Sequence, residues 1–396
     1  MDLIGWVIFV VALLFSVMLH ETGHFVMAKK FGMKCTRYFV GFGPTIWSTW
    51  RGDTEYGIKA LPLGGFVKII GMHSLDDVDD PEDEPLSFRR QPAWQRIIVL
   101  CAGSFMHFVL AFLLIAGLAL GIGVENTTQL ATISPCVAAN VTQLDNGQCT
   151  ASDAESPAKL AGLRAGDQVT SFDGTPVSTW TQLTNIITAA PAGSHATITV
   201  LRDGKTVTLH ATLASVSGRK GAYLGIAEVV FATASPWRAV TYSGSSFEQV
   251  IAGSAKAVAA LPAALPKDFG KNRASTTGGQ VSSVVGAADE TGQAVAANVG
   301  WQYKVSFVLL LIASLNIFVG VFNMLPLLPL DGGHVAVVIW ERIRAGFARL
   351  RGRPDPGMVD MAKLLPVSFS IFMVIMVFGV VLILADIVNP LNLSGG

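Results

Sequence analysis

Four apolar stretches, each long enough to cross a lipid bilayer, constrain the fold of this chain more than any other feature. They cover residues 3–28, 97–123, 305–330 and 365–385. A span needs about 20 apolar residues, and its backbone polar groups must be satisfied internally, which favours α-helices. The composition agrees, because 51% of the residues are hydrophobic and only 14% are charged. The sequence therefore predicts an α-helical polytopic membrane protein with four transmembrane helices in a lipid bilayer.

The positions of the charged residues predict the orientation of these helices. Lysine and arginine cluster within 29–37, 89–96 and 342–363. Basic residues that flank membrane helices stay in the cytoplasm, so both termini and the region between the second and third helices are expected outside it. The formal net charge is +0, which gives no reason to expect binding to nucleic acid.

The chain is accordingly divided into nine predicted segments. They are the first membrane helix (1–30), a membrane-associated β-hairpin region (31–72), an acidic cytoplasmic linker (73–96), the second helix (97–123), an extracytoplasmic α+β domain (124–230), an amphipathic and linker region (231–302), the third helix (303–334), a cytoplasmic basic segment (335–364) and the fourth helix (365–388).

A polar motif, His20-Glu21-Thr22-Gly23-His24, lies inside the first apolar span. Two histidines four residues apart share one face of a helix, so both imidazoles can reach one metal ion. Glu21 between them can hold the water that the metal activates. In a soluble protein, a surface helix with two histidines would be an equal alternative. Ionisable groups inside a membrane span are costly and mark function, so the motif predicts a zinc hydrolase site.

A second polar island follows the third apolar span, from Asn323 to His334. Pro326 and Pro329 interrupt the helix there and free backbone carbonyls. Asp331 is a candidate third ligand, because two nitrogens and one carboxylate with an open fourth position are typical of catalytic zinc. The alternative for Asp331 is a helix cap or turn residue, and His334 is more readily structural than a ligand.

The segments between the spans give further predictions. Residues 36–72 predict short strands that form a small sheet dipping into the membrane, and an ordinary cytoplasmic hairpin is the alternative. The acidic residues 74–85 predict a solvated flexible linker rather than a metal site. Ser246 to Leu261 predicts an amphipathic helix at the outer surface, and Lys271 to Gly279 a mobile segment.

The four cysteines are expected to differ in their redox state. Cys136 and Cys149 fall in the outer domain, where the compartment is oxidising, and are predicted to form a disulfide. Two free thiols are the alternative. Cys35 and Cys101 are expected to stay free.

Taken together, these motifs resemble the site-2 protease family of intramembrane zinc metalloproteases, and most closely the bacterial regulator-of-sigma-E type. His20 to Phe25 is similar to that family's HExGHF, and Asn323 to His334 to its N-x-x-P-x-x-x-L-D-G-G-H. Pro62 to Val67 resembles its substrate-receiving sheet. Ser156 to Gly174 resembles a PDZ domain, so the outer domain is expected to be PDZ-like, with one such domain where the best-known enterobacterial members carry two.

The resemblance implies roles for individual residues. His20, His24 and Asp331 would be the zinc ligands, and Glu21 the general base. Asn323 would help to hold the substrate. The sheet residues expected to contact the substrate are Gly64, Gly65 and Phe66. One departure is clear, because the family often has G-P-x-x-N at the start of the second span, whereas this chain has Gly103 to His107 in the sequence GSFMH.

The implied activity is cleavage of a transmembrane segment of a single-pass protein in the bacterial cytoplasmic membrane. An anti-sigma factor already shortened by another protease, or remnant signal peptides, would be the substrates. An ion-coupled transporter is the rival from another class, but it predicts inverted repeats, which the four spans do not show. An inactive PDZ scaffold would be favoured by loss of Glu21 or Asp331, and both are present.

Overall fold

The computed structural model describes residues 3–72, 80–123, 128–138, 149–150, 153–218, 221–228, 231, 233–268, 283–297 and 300–389. The chain divides into two compact units, which are described separately. One comprises residues 1–116 and 241–396, and the other residues 117–240.

The helices and strands follow one another in chain order as α1 (Leu3–Lys30), β1 (Cys35–Arg51), β2 (Thr54–Ile69), α2 (Ala93–Gly121), β3 (Leu130–Ile133), α3 (Pro157–Leu160), β4 (Gln168–Phe172), β5 (Thr175–Pro176), α4 (Trp180–Ala189), β6 (His195–Arg202), β7 (Lys205–Thr212), β8 (Ile226–Glu228), α5 (Pro236–Asp268), α6 (Val284–Ala296), α7 (Trp301–Asn323), α8 (Asp331–Leu350) and α9 (Leu365–Val388). Short 3₁₀ helices cover Pro81–Leu86, Phe88–Arg90 and Met361–Leu364.

Four helices of the described residues are long and apolar enough to cross a membrane, which confirms the predicted number. They are α1, α2, α7 and α9, the last extended at its start by the 3₁₀ turn from Met361. Large apolar side chains on these helices point outward, for example Phe369 at 64% and Val374 at 69% exposure. Such faces are unfavourable in water and suit a lipid environment.

The region between α1 and α2 is a long hairpin that folds back on itself, which gives short paired segments as the sequence predicts. β1 and β2 pair antiparallel from Cys35 and Ile69 to the turn after Arg51. Residues 37–40 of β1 also pair, in the same direction, with residues 55–58 of β2, which pair in turn with residues 47–50. The chain therefore reverses within β1 after Val40, where Gly41 and Gly43 have positive φ. Glycine tolerates that backbone conformation.

The outer part of this hairpin is strongly apolar. Ile46, Trp47 and Trp50 are 70%, 56% and 63% exposed. Exposed aromatic and aliphatic residues of this kind suit the interface of a bilayer. The hairpin thus agrees with the expectation of a sheet associated with the membrane.

The third span is shorter than predicted. α7 ends at Asn323, residues 324–330 turn, and Asp331 opens α8. The turn packs tightly against the first residues of α8, because a Cβ at Gly333 would lie 2.6 Å from the Leu327 carbonyl carbon. Two glycines after Asp331 therefore allow the turn to close and fix where the carboxylate emerges.

The described part of the acidic segment is folded rather than flexible. Asp83 pairs with Lys34 at 2.5 Å, and Glu84 pairs with Arg89 and Arg90. Ion pairs that span three chain segments hold the 3₁₀ turns in place. Residues 73–79 lie outside the described residues.

The described part of the predicted amphipathic and linker region contains the helices α5 and α6. α5 is longer than the predicted helix from Ser246 to Leu261. α6 packs against α1, where Gly5 and Gly292 approach so closely that a Cβ on Gly5 would lie 2.6 Å from the Gly292 α-carbon. Asp386 of α9 accepts a hydrogen bond of 2.7 Å from the backbone N–H of Ser283, the N-cap of α6. The predicted mobile segment, Lys271 to Gly279, lies outside the described residues.

The second unit is an α+β domain. Its four-stranded sheet has the order β5-β4-β6-β7, and β3 pairs with β8 in a separate two-stranded sheet. A single core fills the space between the sheet and the helix α4, with members that include Phe172, Leu183 and Ile198, each 0% exposed. A disulfide joins Cys136 to Cys149, with 6.0 Å between their α-carbons, and Cys35 and Cys101 are free.

Candidate metal centre and active site

Three side chains from two helices converge on one point. His20 and His24 of α1 place their Nε2 atoms 3.0 Å apart. Oδ2 of Asp331, at the start of α8, lies 3.2 Å from Nε2 of His20 and 3.4 Å from Nε2 of His24. Residues separated by more than 300 positions thus form a compact triangle of two nitrogens and one oxygen.

The triangle has the dimensions of a tetrahedral zinc site. Ligand atoms about 2.0–2.1 Å from zinc at tetrahedral angles lie about 3.3 Å from one another. Oδ2 of Asp331 is buried without a hydrogen-bond partner among the described residues. A buried carboxylate oxygen without a donor is costly, and a bound cation removes that cost. The donor set therefore fits zinc with three protein ligands.

The neighbouring helix α2 shapes the pocket of the two histidines. Nδ1 of His24 lies 2.7 Å from the backbone carbonyl oxygen of Val99, which fixes the ring with its hydrogen on Nδ1 and its lone pair on Nε2. One turn further along α2, Gly103 faces both imidazoles. A Cβ at Gly103 would overlap Nε2 of His24 and lie 2.7 Å from Nε2 of His20.

Glu21 points from α1 toward the β-hairpin. Its Oε2 accepts a hydrogen bond of 3.1 Å from the backbone N–H of Val67 in β2. Gly65, two residues earlier, also faces Glu21, because a Cβ on Gly65 would lie 3.5 Å from Cγ of Glu21. The hairpin and the candidate general base are therefore in direct contact.

The remaining predicted sheet residues lie near this contact but do not all face it. A Cβ on Gly64 would lie 3.1 Å from the ring of Phe42 and 3.9 Å from Val17 of α1. Phe66 stacks on Phe39 and Phe42, with ring centroids 5.6 Å and 6.1 Å away. Phe66 thus belongs to the aromatic packing of the hairpin.

Two polar residues of the second motif are not members of the triangle. Asn323 is half-buried at the C-terminal end of α7. His334 lines a neighbouring cavity of about 290 Å³ together with Arg96 and Glu341, a buried ion pair of 3.0 Å. Among the described residues, the cluster that could hold a metal ion contains His20, His24 and Asp331, without His334.

The sequence did not predict the roles of Val99 and Val67. These residues contact His24 and Glu21 through the backbone carbonyl and N–H, and backbone contacts cannot be read from side-chain patterns. Gly103 could have been found, since a glycine within an apolar helix often marks a close approach.

Comparison with known proteins gives one family. The family model described as "Peptidase family M50" matches residues 8–354. Zinc metalloprotease Rip1 of Mycobacterium tuberculosis is 37% identical over 410 residues, covering 98% of this chain and 98% of that protein. Rip1 of Mycolicibacterium smegmatis is also 37% identical, with the same coverage. A putative zinc metalloprotease of Nostoc sp. is 28% identical over 367 residues, covering 91% of this chain and 92% of the relative.

Among solved structures, the PDZ domain of an SdrC-like protein from Listeria monocytogenes covers 24% of this chain and 87% of its own length. Its identity is 19% and its TM-score 0.17. The full-length relatives and the match over residues 8–354 lead to one conclusion. The chain belongs to peptidase family M50, as a membrane-embedded zinc metalloprotease of the site-2 protease type.

Proposed function

We propose that this protease cleaves transmembrane segments of single-pass membrane proteins, with His20, His24 and Asp331 as zinc ligands and Glu21 as general base. One observation supports this most strongly. The candidate base lies inside an apolar span and touches the strand β2 through the N–H of Val67. A peptide bond that pairs with β2 would therefore reach Glu21 within the membrane.

The free edge of β2 is the proposed receiver of the substrate. In the two-stranded sheet β1 and β2 pair with each other, and the N–H of Val67 points away from β1 toward α1. An extended peptide adds to such an edge through backbone hydrogen bonds. A helical substrate hides its peptide bonds, so it must unwind locally before it pairs. Gly64 and Gly65 keep this edge free of side chains beside Glu21.

The residues divide the chemistry between them. Zinc, when bound, supplies Lewis-acid activation of water and of the scissile carbonyl. Glu21 accepts the proton of the attacking water and passes it to the leaving amine. The Val99 carbonyl holds the ring of His24, and the half-buried Asn323 at the end of α7 would hold the substrate strand. The apolar surroundings limit the access of bulk water.

The wider role that we propose is regulated intramembrane proteolysis in a bacterial cytoplasmic membrane. The substrates would be an anti-sigma factor already shortened by another protease, or remnant signal peptides. The unit at residues 117–240 would be extracytoplasmic and PDZ-like. It would exclude uncut substrates by size or bind a newly formed C-terminus. Both chain termini would then lie outside the cytoplasm.

The test separates metal binding from proton transfer. Glu21→Gln has nearly the same shape and leaves the triangle intact, so it should keep zinc and lose at least 10²–10⁴-fold in cleavage rate. His24→Ala and Asp331→Ala should lose both zinc and activity. Metal content by atomic emission and cleavage of a reconstituted transmembrane substrate measure the two properties.

Substrates are identified by comparing membrane proteomes of wild-type cells and a Glu21→Gln strain. Single-pass proteins should accumulate uncut and co-purify with the variant. A Glu21→Gln protein that cleaves at a near wild-type rate would overturn the assignment of the base. An Asp331→Ala protein with full zinc content would overturn the ligand set.

A further inference from the structure

A buried polar cluster lies one helical turn away from the metal centre and joins three membrane helices. Ser16 of α1, His107 of α2 and Asn316 of α7 are 4%, 3% and 2% exposed. Nδ1 of His107 lies 3.0 Å from Oγ of Ser16 and 2.8 Å from Oδ1 of Asn316. The Ser16 hydroxyl also donates to Oδ1 of Asn316.

The hydrogen bonds of this cluster determine which nitrogen of His107 carries its hydrogen. Nδ2 of Asn316 donates to the Ile312 carbonyl oxygen at 2.8 Å, so the amide oxygen is the atom that faces His107. An amide oxygen only accepts hydrogen bonds, which requires a hydrogen on Nδ1 of His107. In the neutral imidazole, Nε2 then carries the lone pair and is an acceptor.

His20, the proposed ligand next to this cluster, lacks a hydrogen-bond partner for Nδ1, whereas His24 has one. Nδ1 of His24 is held by the Val99 carbonyl oxygen. Nδ1 of His20 is buried and has no hydrogen-bond partner among the described residues. When Nε2 of a histidine binds a metal, Nδ1 carries the hydrogen and needs an acceptor that orients the ring. His20 therefore requires such a group, and the ring of His107 lies beside it, with centroids 5.0 Å apart.

We propose that His107 is the positioning residue of His20. Anchored at Nδ1 by Ser16 and Asn316, its ring presents Nε2 as the acceptor for the Nδ1–H of His20. His107 would do for one ligand what the backbone carbonyl of Val99 does for the other. This inference rests on the ligand set proposed above.

The spacing along the helices supports this role. Ser16 precedes His20 by four residues in α1, and His107 follows Gly103 by four residues in α2. Both therefore lie one turn beyond residues that shape the metal centre, on the same helix faces. The hydrogen bond between Ser16 and His107 thus fixes α1 relative to α2 one turn from His20, where it helps to orient the His20 ring.

The test measures metal binding in the full-length protein purified in detergent. His107→Phe keeps a ring of similar size and removes both nitrogens. We expect it to lower zinc affinity by about 10–100-fold in competition with a chelating dye, as is usual when the outer partner of a ligand is lost. The visible absorption bands of the Co²⁺-loaded protein should shift, because His20 is no longer held in one orientation. His107→Gln, which restores a polar group, should recover part of the affinity.

A matched control and a milder variant complete the experiment. Ser306→Ala removes a buried hydroxyl from α7 that has no hydrogen-bond partner among the described residues, and should change neither readout. If His107→Phe does not fold, Ser16→Ala tests the proposal instead. It removes one of the two hydrogen bonds that anchor the His107 ring, so we expect zinc affinity to fall by about 3–10-fold.

The outcomes distinguish this inference from the ligand assignment. If His24→Ala keeps full zinc affinity, the ligand set is wrong. If His24→Ala loses zinc while folded His107→Phe and Ser16→Ala bind it with wild-type affinity and an unchanged Co²⁺ spectrum, the ligand set stands and the positioning role of His107 is refuted.

Discussion

Gly103 of α2 and His24 of α1 approach each other so closely that only a hydrogen atom fits between the glycine α-carbon and the imidazole. A Cβ at Gly103 would overlap Nε2 of His24, the nitrogen that faces His20 and Asp331. Close packing of two helices at this point determines where the Nε2 atoms of His20 and His24 lie. The arrangement of the two imidazoles therefore requires glycine at position 103.

The first prediction concerns this contact. Gly103→Ala should reduce zinc occupancy at least tenfold, because the added methyl group displaces both imidazoles from the triangle, and overpacked sites relax only by shifting side chains and backbone. Gly117→Ala, on the same helix, is the matched control, since a Cβ there meets no atom within 4 Å. Metal content per folded protein is the measurement, and equal zinc in the two variants would contradict the prediction.

The second prediction concerns the orientation in the membrane. Residues 125–300 should lie outside the cytoplasm, and residues 29–96 and 335–364 inside it, because basic residues flank the helices on that side. Single cysteines at Ser215 and Gly352, both exposed, report the two sides in a background without the free Cys35 and Cys101. A membrane-impermeant thiol reagent should label Ser215→Cys in intact cells and Gly352→Cys after permeabilisation alone. Labelling of both from one side would refute this orientation.

The third prediction concerns the disulfide between Cys136 and Cys149. Its sequence separation is 13 residues, and closing so short a loop stabilises the folded state by about 3 kcal/mol in the chain-entropy model. The double Cys→Ser variant should lower the free energy of unfolding of the second unit by that amount, measured by hydrogen exchange in the full chain. Cys101→Ser is the control, because Cys101 is free. Alkylation of Cys136 and Cys149 without reductant would argue against the bridge.

The fourth prediction concerns acid stability of the second unit. Asp167 is 1% exposed and accepts two hydrogen bonds of 2.7 Å from Arg202 and one of 2.9 Å from the Arg164 N–H. Burial alone would raise the pKa of the Asp167 carboxyl, but these donors hold its pKa below the usual range. The folded state is therefore stabilised at neutral pH, and this contribution is lost as the pH falls below about 4 and through the folded-state pKa.

Asp167→Asn should remove this pH dependence and destabilise the unit at pH 7 by on the order of 1–3 kcal/mol. Hydrogen exchange of peptides from β4 and β6, compared between variant and wild type at each pH, measures the effect. Asp203→Asn is the control, because Asp203 is in the exposed turn between β6 and β7 and asparagine tolerates its positive φ. If Asp167→Asn and wild type lose protection in parallel on acidification, the ion pair does not set the acid stability.

The apolar spans and the residues that come together at the candidate metal centre could be predicted from the sequence because their signals are local. A run of about 20 apolar residues marks each membrane helix. The spacing of His20 and His24 places two nitrogens on one helical face. Asp331 could be added because two nitrogens and one carboxylate are the donor set typical of catalytic zinc.

The rest depends on contacts between distant parts of the chain. α6 is rich in small residues and is predicted as a linker, yet it packs against Gly5 of α1, and its N-cap residue Ser283 donates a hydrogen bond to Asp386 of α9. The bonds of His107 join residues 91 and 209 positions apart, which no local pattern can indicate. The hairpin folds back on itself so that residues 37–40 pair with both 55–58 and 65–68, and no local pattern indicates this double pairing.

The bond between the Val67 N–H and Glu21 has a consequence for the order of events in a catalytic cycle. A single N–H cannot serve two acceptors fully, so a peptide that pairs with β2 at Val67 and a carboxylate bound there exclude one another. When a peptide carbonyl accepts from the Val67 N–H, the Glu21 carboxylate must release it, so one hydrogen bond replaces the other. In the proposed mechanism, the protease without substrate would keep Glu21 bound to the strand on which the substrate pairs.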